Sequence, residues 1–481
     1  VIRPLSPAGA GRIGDNRDLI YEKNGEYFYR WYRLKSRMDK TITAGYENYN
    51  FILDNIPVCF PDKPKFEHFG QCVPPADDKF DEWFSFITKV ANKLKQWYPD
   101  VIDNFRFRVG TEMDWEDRFV GKTKKLEKHY DYTMVAVKEV LPEAEVGIYN
   151  EARSQNLNFK DSRRSKAMAQ HMANEINFKT GKIGSPIDFW PISYYYNGEF
   201  VPDQKSFRVD WFWDNMLGTD PAKYFDVTRE VHEYGILGDF DRTSNVWYTG
   251  AFGGALHAHT LINFMSIGVN KGWEWHSTKI EYIDENTGLL CSDGWLYSVM
   301  QRMTGGKSYR IPVLSTSRYQ TKYNTLYSLK PNQNESILMV SAFNSNPASH
   351  KKENVKIKIP ESLIPEGKDF KVRYLKLNRE SAVYNTIYKD LKENDLLNPR
   401  FNKPHQPTSV VQVLERPHRD GDYMGKKGSE VFIKNNMEKY ESIIQRSLSL
   451  KKWEGSIPQD GSDWIINHKM EPPSVLVLVV K

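Results

Sequence analysis

The chain is poor in cysteine: Cys59, Cys72 and Cys291 are all it has in 481 residues. Three thiols at those spacings make no metal-ligand set, and an odd number leaves at least one unpaired. Cys59 and Cys72 are close enough along the chain to pair across a loop, a question the sequence leaves open. No apolar run approaches the ~18 residues of a membrane-spanning helix, and the last one, Val475 to Val480, is the length of a strand. A soluble protein without a membrane partner is expected. A dense Lys/Arg block is also missing, since 67 basic and 62 acidic residues are spread along the chain for a net charge of +5. Nucleic acid is therefore not expected as a partner. The glycine-rich GAGRIG, Gly9 to Gly14, has no clear strand before it and no Lys-Ser/Thr after it, so it reads as a tight turn rather than a phosphate loop. His257 and His259 stand two apart in a run that reads as helix, where such positions face different sides. No metal and no cofactor is expected.

What the chain has in quantity is aromatic surface: 14% of it is Phe, Trp or Tyr, within a hydrophobic share of 40%. That is enough to bury a large core and build two or three domains. From about residue 10 to 310, strand-like runs alternate with amphipathic helical ones, the rhythm of βα units. Strands are expected at Tyr27 to Leu34, Ile56 to Phe60, Phe105 to Val109, Ala144 to Tyr149, Ile187 to Tyr194, Glu230 to Tyr234 and Val269 to Trp275, with a faint first one near Gly9 to Gly14. Helices are expected at Asp78 to Trp97 and Lys124 to Val140. Eight strands are the count of a TIM barrel. After residue 310 the segments become strand-sized with Pro, Asn and Gly breaks: Ser336 to Phe343, Val355 to Ile359, Lys371 to Leu377, Ser409 to Leu414 and Ser474 to Val480, plus one helical stretch from Ser429 to Arg446. The expected fold is thus α/β, a (β/α)8 TIM barrel over residues 1–310 followed by an antiparallel β-sandwich over 311–481, which the N-terminal residues can complete.

A βα barrel builds its site at the carboxyl ends of its strands, which makes polar residues terminating strand-like runs informative. Glu112 follows RFRVGT, and Glu233 follows FDVTREVH; they stand 121 residues apart, about three βα units, and end the fourth and seventh expected strands. Two facing carboxylates are what glycoside hydrolysis requires: one, kept neutral, protonates the leaving oxygen, and the other attacks the anomeric carbon. The bland alternative is a pair of acids that happen to end strands. Aromatic faces stack on pyranose rings, and WPISYYYNG, WFWDN and WEWHS place rings at or beyond strand ends, with core packing as the competing explanation. An oligo- or polysaccharide is the expected partner, and a homo-oligomer is compatible with these features.

On these residues the chain resembles glycoside hydrolase family 39, the clan A barrel family of β-xylosidases and α-L-iduronidases. GAGR looks like that family's opening Gly-x-Gly-Arg, and YRWYRLKSRMD followed by YENYNFILDNI looks like its second strand and the next helix. The run QCVPPADDKFDEWFSFITKVANKLKQWYPDVIDNFRFRVGTEMDW is similar to its Pro-Pro, long helix and fourth strand. YDYTMVAVKEVLPEAEVG resembles the next helix and strand, and VRYLKLNRESAVYN a strand of its C-terminal sandwich. The resemblance implies Glu112 as general acid/base, Glu233 as nucleophile, and retention of anomeric configuration. Thr111 stands where the family carries Asn, Tyr32 or Arg33 where it carries His, and Ser193-Tyr194-Tyr195 where it carries His-x-Tyr. Residues expected to touch substrate are Arg30, Arg33, Thr111, Trp115, Tyr149, Asn150, Ser193, Tyr195, Trp273 and Trp275. Arg30, Arg33, Lys35 and Arg37, expected near a strand end, suit a sulfate or carboxylate on the sugar. The expected activity is retaining hydrolysis of an acidic, including sulfated, polysaccharide or its oligosaccharides; a β-xylosidase-like action on neutral sugars, or sugar binding on a degenerate barrel, are the alternatives. Val1 in place of a Met suits a chain whose export signal has been removed, secreted or periplasmic.

Overall fold

The computed structural model describes residues 5, 17–45, 48–67, 70–152, 163–196, 227–236, 250–266, 268–274, 282–284, 287–315, 321–330, 335–344, 349, 351–364, 371–397 and 428–480. Its packing divides the chain into two compact units, one of Val1–Tyr194, Arg208–Tyr234 and Val269–Glu274, the other of Tyr195–Phe207, Gly235–Gly268 and Trp275–Lys481. No described helix is long and apolar enough to cross a membrane.

The first unit opens with a hairpin, β1 (Ile20–Lys23) against β2 (Glu26–Tyr29), turned at Asn24 and Gly25, both at positive φ. That is the two-residue turn whose twist matches the strands. Here the expected strand Tyr27 to Leu34 is corrected, because the chain turns at Arg30 into helix α1 (Trp31–Thr43), burying Leu34 and Met38 at i, i+4. The helix former was hidden by β-favouring aromatics around it. The next strand, β3, is Tyr49–Leu53 rather than Ile56 to Phe60, so YNFIL is strand and WYRLKSRMD helix, the reverse of the order expected. Pro57 has no N–H to give a ladder, and its carbonyl instead closes a turn onto the Phe60 N–H.

The later elements follow the reading closely. Helix α2 (Phe80–Trp97) leads to β4 (Phe105–Val109), α3 (Thr123–Val140) to β5 (Glu145–Gly147), and α4 (Arg163–Asn174) to β6 (Phe189–Tyr196); β7 (Thr228–Ile236) and β8 (Lys271–Glu274) complete the sheet. Its order is β3-β4-β5-β6-β7-β8, with parallel pairing. Spatial order equal to sequence order is the singly wound arrangement of a barrel wall. The wall is curled. In a flat sheet β3 and β7 would lie ~19 Å apart at ~4.8 Å per step, yet Asn50 Nδ2 of β3 and His232 Nδ1 of β7 are 2.9 Å apart. The described residues give six strands; the expected first strand near Gly9 to Gly14 lies outside them.

In the second unit two antiparallel sheets share one apolar cluster. One holds Lys322–Lys330, Glu335–Phe343, Ser474–Val480 and Val372–Leu377 between short edge strands, and the other is built on Glu353–Pro360 and Asp463–Met470. Leu338, Val340, Leu476 and Leu478 of the first meet Val355, Ile357 and Ile466 of the second, which is the alternation that the strand-like runs displayed. The expected helix Ser429 to Arg446 is two, Ser429–Asn435 and Met437–Leu448, and Ser409 to Leu414 lies outside the described residues. Helix α5 (Ala251–Ser266) carries both histidines of LHAH to separate partners, His257 2.8 Å from Asp293 and His259 3.2 Å from the Ser341 hydroxyl. All three cysteines are free thiols.

Close packing in the wall gives a test. A methyl added at Gly147 of β5 would fall 2.2 Å from the buried ring of Phe189 on β6. Gly147→Ala is expected to destabilise the first unit by ~1–3 kcal/mol, the usual range for overpacking, seen as a lower urea midpoint.

Candidate active site

Strand β4 ends in an unusual backbone. Gly110 has φ 63°, and a Cβ there would collide with the Met113 side chain at 2.1 Å, so only glycine fits. Glu112 itself has φ 49°, a conformation that costs a non-glycine residue roughly 1–3 kcal/mol. Its N–H is fixed by the Asn150 carbonyl at 3.1 Å, which ties this turn to the chain just past β5. The sharp turn aims the carboxylate where a regular strand could not.

That carboxylate is nearly closed off from solvent and has a donor on each oxygen. The Ser193 hydroxyl donates to Oε1 at 2.8 Å and Arg118 Nη2 to Oε2 at 2.9 Å. Ser193 in turn receives Asn150 Nδ2 at 2.6 Å, so β4, β5 and β6 each contribute one group to the same chain of bonds. Burial pushes the Glu112 carboxyl up to about 7; Arg118 opposes this, the charges of Glu233 and Asp114 add to it, and the Ser193 bond works against it. Loss of solvation outweighs the ion pair.

Glu233 reaches the same region through an irregularity in β7. Lys271 pairs with Glu230 and Gly272 with Val231, but Glu274 pairs with Tyr234, so β7 spends three residues where β8 spends two. Regular alternation would send Glu230 and His232 inward and Glu233 outward. The extra residue breaks that parity and turns Glu233 to the inner side as well. There its Oε1 lies 3.7 Å from Nη2 of Arg108, a fully buried side chain on β4. Arg108 also donates to the Thr111 hydroxyl at 3.3 Å, and Thr111 donates to Asp54 at 2.8 Å. Arg108 therefore stands beside Glu233 while Arg118 stands beside Glu112, and each carboxylate has its own cation.

Below them lies a second polar layer. Arg106, two residues before Arg108 and on the same face, grips Glu230 with both Nη atoms at 2.7 and 2.6 Å and also bonds Glu145. Glu230 further accepts from the Thr228 hydroxyl at 2.8 Å and from His232 Nε2 at 2.7 Å. Because Asn50 Nδ2 donates to Nδ1, His232 is a neutral imidazole with its proton on Nε2. Burial holds its pKa down to about 3, with Arg108 and Arg106 acting in the same direction. Burial would raise Glu230, but the bonds from His232 and Arg106 hold it at about 2.

The expected site residues divide accordingly. Glu112, Glu233, Thr111, Asn150 and Ser193 come together. Trp115 is partly exposed on the turn that follows Glu112, and Trp273 packs beneath, 4.5 Å from the His232 ring. Tyr149 is fully buried, its hydroxyl 3.3 Å from that of Ser165. The side chain of Tyr195 and the whole of Trp275 lie outside the described residues. Arg30 and Arg33 stand just past the end of hairpin strand β2 and on the first turn of α1, not at an end of the parallel sheet. Arg30 donates to the Asp18 carbonyl and stacks on Tyr21, while Arg33 bonds the Tyr32 hydroxyl and the Arg17 carbonyl; Lys35 pairs with Asp39 on exposed helix surface. The reading missed Arg108, Arg118, Asp54, Asn50 and His232. Only the first left a signal: in FRFRV the arginines alternate with phenylalanines on a wholly buried strand, so both must face a polar interior.

No family model matches the sequence. An α-1,4-L-rhamnosidase of Formosa agariphila is 23% identical over 399 residues, spanning 79% of this chain and 76% of its own. Among solved structures, a monomeric β-xylosidase from Caulobacter crescentus CB15 superposes with a TM-score of 0.61 at 12% identity, over 96% of this chain and 86% of that one. The family 39 glycoside hydrolase from Xanthomonas axonopodis pv. citri gives 0.60 at 12%, over 96% and 85%. A bacterial orthologue of human α-L-iduronidase gives 0.53 at 12%, over 96% and 74%. The fold of this chain is that of the family 39 glycoside hydrolases.

Proposed function

We propose that the protein is a retaining glycoside hydrolase in which Glu112 is the general acid/base and Glu233 the nucleophile. The observation that carries this reading is the division of two buried acids at strand ends: one raised to about 7, the other 3.7 Å from a fully buried arginine. In the first step Glu233 attacks the anomeric carbon as the protonated Glu112 gives its proton to the departing glycosidic oxygen. In the second, Glu112, now ionised, takes a proton from water, whose oxygen displaces Glu233 from the sugar. Arg108 supports the ionised nucleophile. Ser193, oriented by Asn150, holds the acid in place. This chemistry calls for no cofactor.

The six parallel strands are read here as most of a closed (β/α)8 barrel, and the two antiparallel sheets as an accessory β-sandwich. For the substrate, the rhamnosidase relative favours an L-rhamnosyl group at the cleaved position. The net charge of +5 favours an acidic, including sulfated, chain around it. A polymeric substrate suits a secreted or periplasmic enzyme.

Two outcomes test the chemistry. With an aryl α-L-rhamnoside and with sulfated and uronic rhamnose-containing oligosaccharides, Glu233→Gln is expected to lose at least ~10³-fold in turnover at an unchanged melting temperature. Glu112→Gln should slow the poorer leaving groups most and recover with added azide; wild-type rates in either variant would end the assignment. Separately, catalysis in the first step needs protonated Glu112, so kcat/KM should fall as pH rises through about 7. Arg118 lowers that carboxyl, so Arg118→Gln should move the alkaline limb to higher pH.

A further inference from the structure

Away from the two catalytic acids, helices α3 and α4 bring together groups that the sequence keeps 40 or more positions apart. Glu127 and Asp131 lie one turn apart on α3, and His171 and Glu175 straddle one turn at the end of α4. No ligand spacing is visible along the chain because the set is assembled only by helix packing. His171 is fully buried, and its Nε2 faces Asp131 Oδ2 at 2.9 Å. Asp131 is fixed in turn by the Phe178 N–H at 2.7 Å and the Ser185 hydroxyl at 2.5 Å. This leaves Nδ1 directed at two further carboxylates, 3.3 Å from Glu175 Oε2 and 3.6 Å from Glu127 Oε2. The Glu127 side chain is only 3% exposed, and the same oxygen faces the Lys124 ammonium at 2.9 Å.

We propose that His171, Glu127 and Glu175 form a structural site for a divalent transition metal such as zinc, fastening α3 to α4. Three features carry it. One nitrogen and two carboxylate oxygens lie within 4.8 Å of one another. The two separations from Nδ1 are near the ~3.3–3.5 Å between neighbouring ligands on a tetrahedral zinc with bonds of ~2.0–2.2 Å. The carboxylate on Nε2 is the outer partner that fixes a ligating imidazole with its other nitrogen free for metal. Glu127 and Glu175 offset a dication, and binding it would release any proton held on Nδ1 between them. The competing cation is Lys124, whose ammonium lies 2.9 Å from Glu127 Oε2 and also pairs with Glu175. It is the most exposed member of the group and has room to swing out to solvent, leaving water to complete the coordination.

The test is a zinc titration of the full chain after dialysis against a chelator, by calorimetry, with metal counted per chain after gel filtration. Wild type should bind one zinc per chain and melt a few degrees higher with it. His171→Gln and Glu127→Gln should abolish the binding, and Asp131→Asn should weaken it by ~10–100-fold, with circular dichroism establishing that each variant is folded. Lys124→Ala, which removes the competitor, should bind several-fold more tightly. No saturable binding in wild type, or binding that His171→Gln leaves unchanged, overturns the proposal. Binding by Lys124→Ala alone overturns it for the native chain, since the lysine then takes the place of the ion. The readout involves no turnover, so its failure is separate from failure of the glycosidase reading.

Discussion

The structure of the first unit turns on the bidentate contact between Arg106 of β4 and Glu230 of β7. Those strands are three steps apart in the sheet, so the contact exists only across the inside of a curled wall. Burying an arginine and a carboxylate together is costly, and only complete hydrogen bonding makes it tolerable. Here Glu145, Thr228, His232 and Asn50 supply the remaining bonds. The result is a polar floor that holds β3, β4, β5 and β7 in one register. Removing either member would leave an uncompensated charge beneath Glu112 and Glu233.

The upper layer stands on that floor. Arg106 and Arg108 share a face of β4, so fixing the first fixes the direction of the second, and Arg108 sets the surroundings of Glu233. Glu112 is governed differently. Its position comes from backbone strain at the strand end, and its proton affinity from exclusion of water in excess of what Arg118 restores. Two acids of similar intrinsic strength are thereby given different surroundings.

How much of this was legible in the sequence depends on what each feature rests on. Phe105 to Val109 and Ser474 to Val480 matched to the residue because one alternates Phe and Arg with period two and the other is a short apolar run after Pro472-Pro473, both strand patterns in their own right. The region from Tyr27 to Phe60 was misread because Tyr, Trp and Phe favour strands wherever they occur, whereas its helix is set by Leu34 and Met38 finding a core. Glu112 and Glu233 were singled out by position, as acids that end strand-like runs, and the structure brings both to one end of the parallel sheet. Arg118 and Asp54 were not, because a pairing across six or 57 positions is decided by packing that no periodicity records. The misread strand also moves Arg30 and Arg33 from an expected strand end of the barrel to the start of helix α1.

The irregular step in β7 has a consequence for how this site can change. The aim of Glu233 depends on the three-residue step from Val231 to Tyr234 against two on β8, so side-chain chemistry alone does not preserve it. A lineage could keep every inward-facing side chain and still lose the facing pair of acids by dropping one residue from that strand, turning Glu233 to its outer side. Conversely, a regular strand with a glutamate one place out of phase is a single insertion from acquiring such a pair.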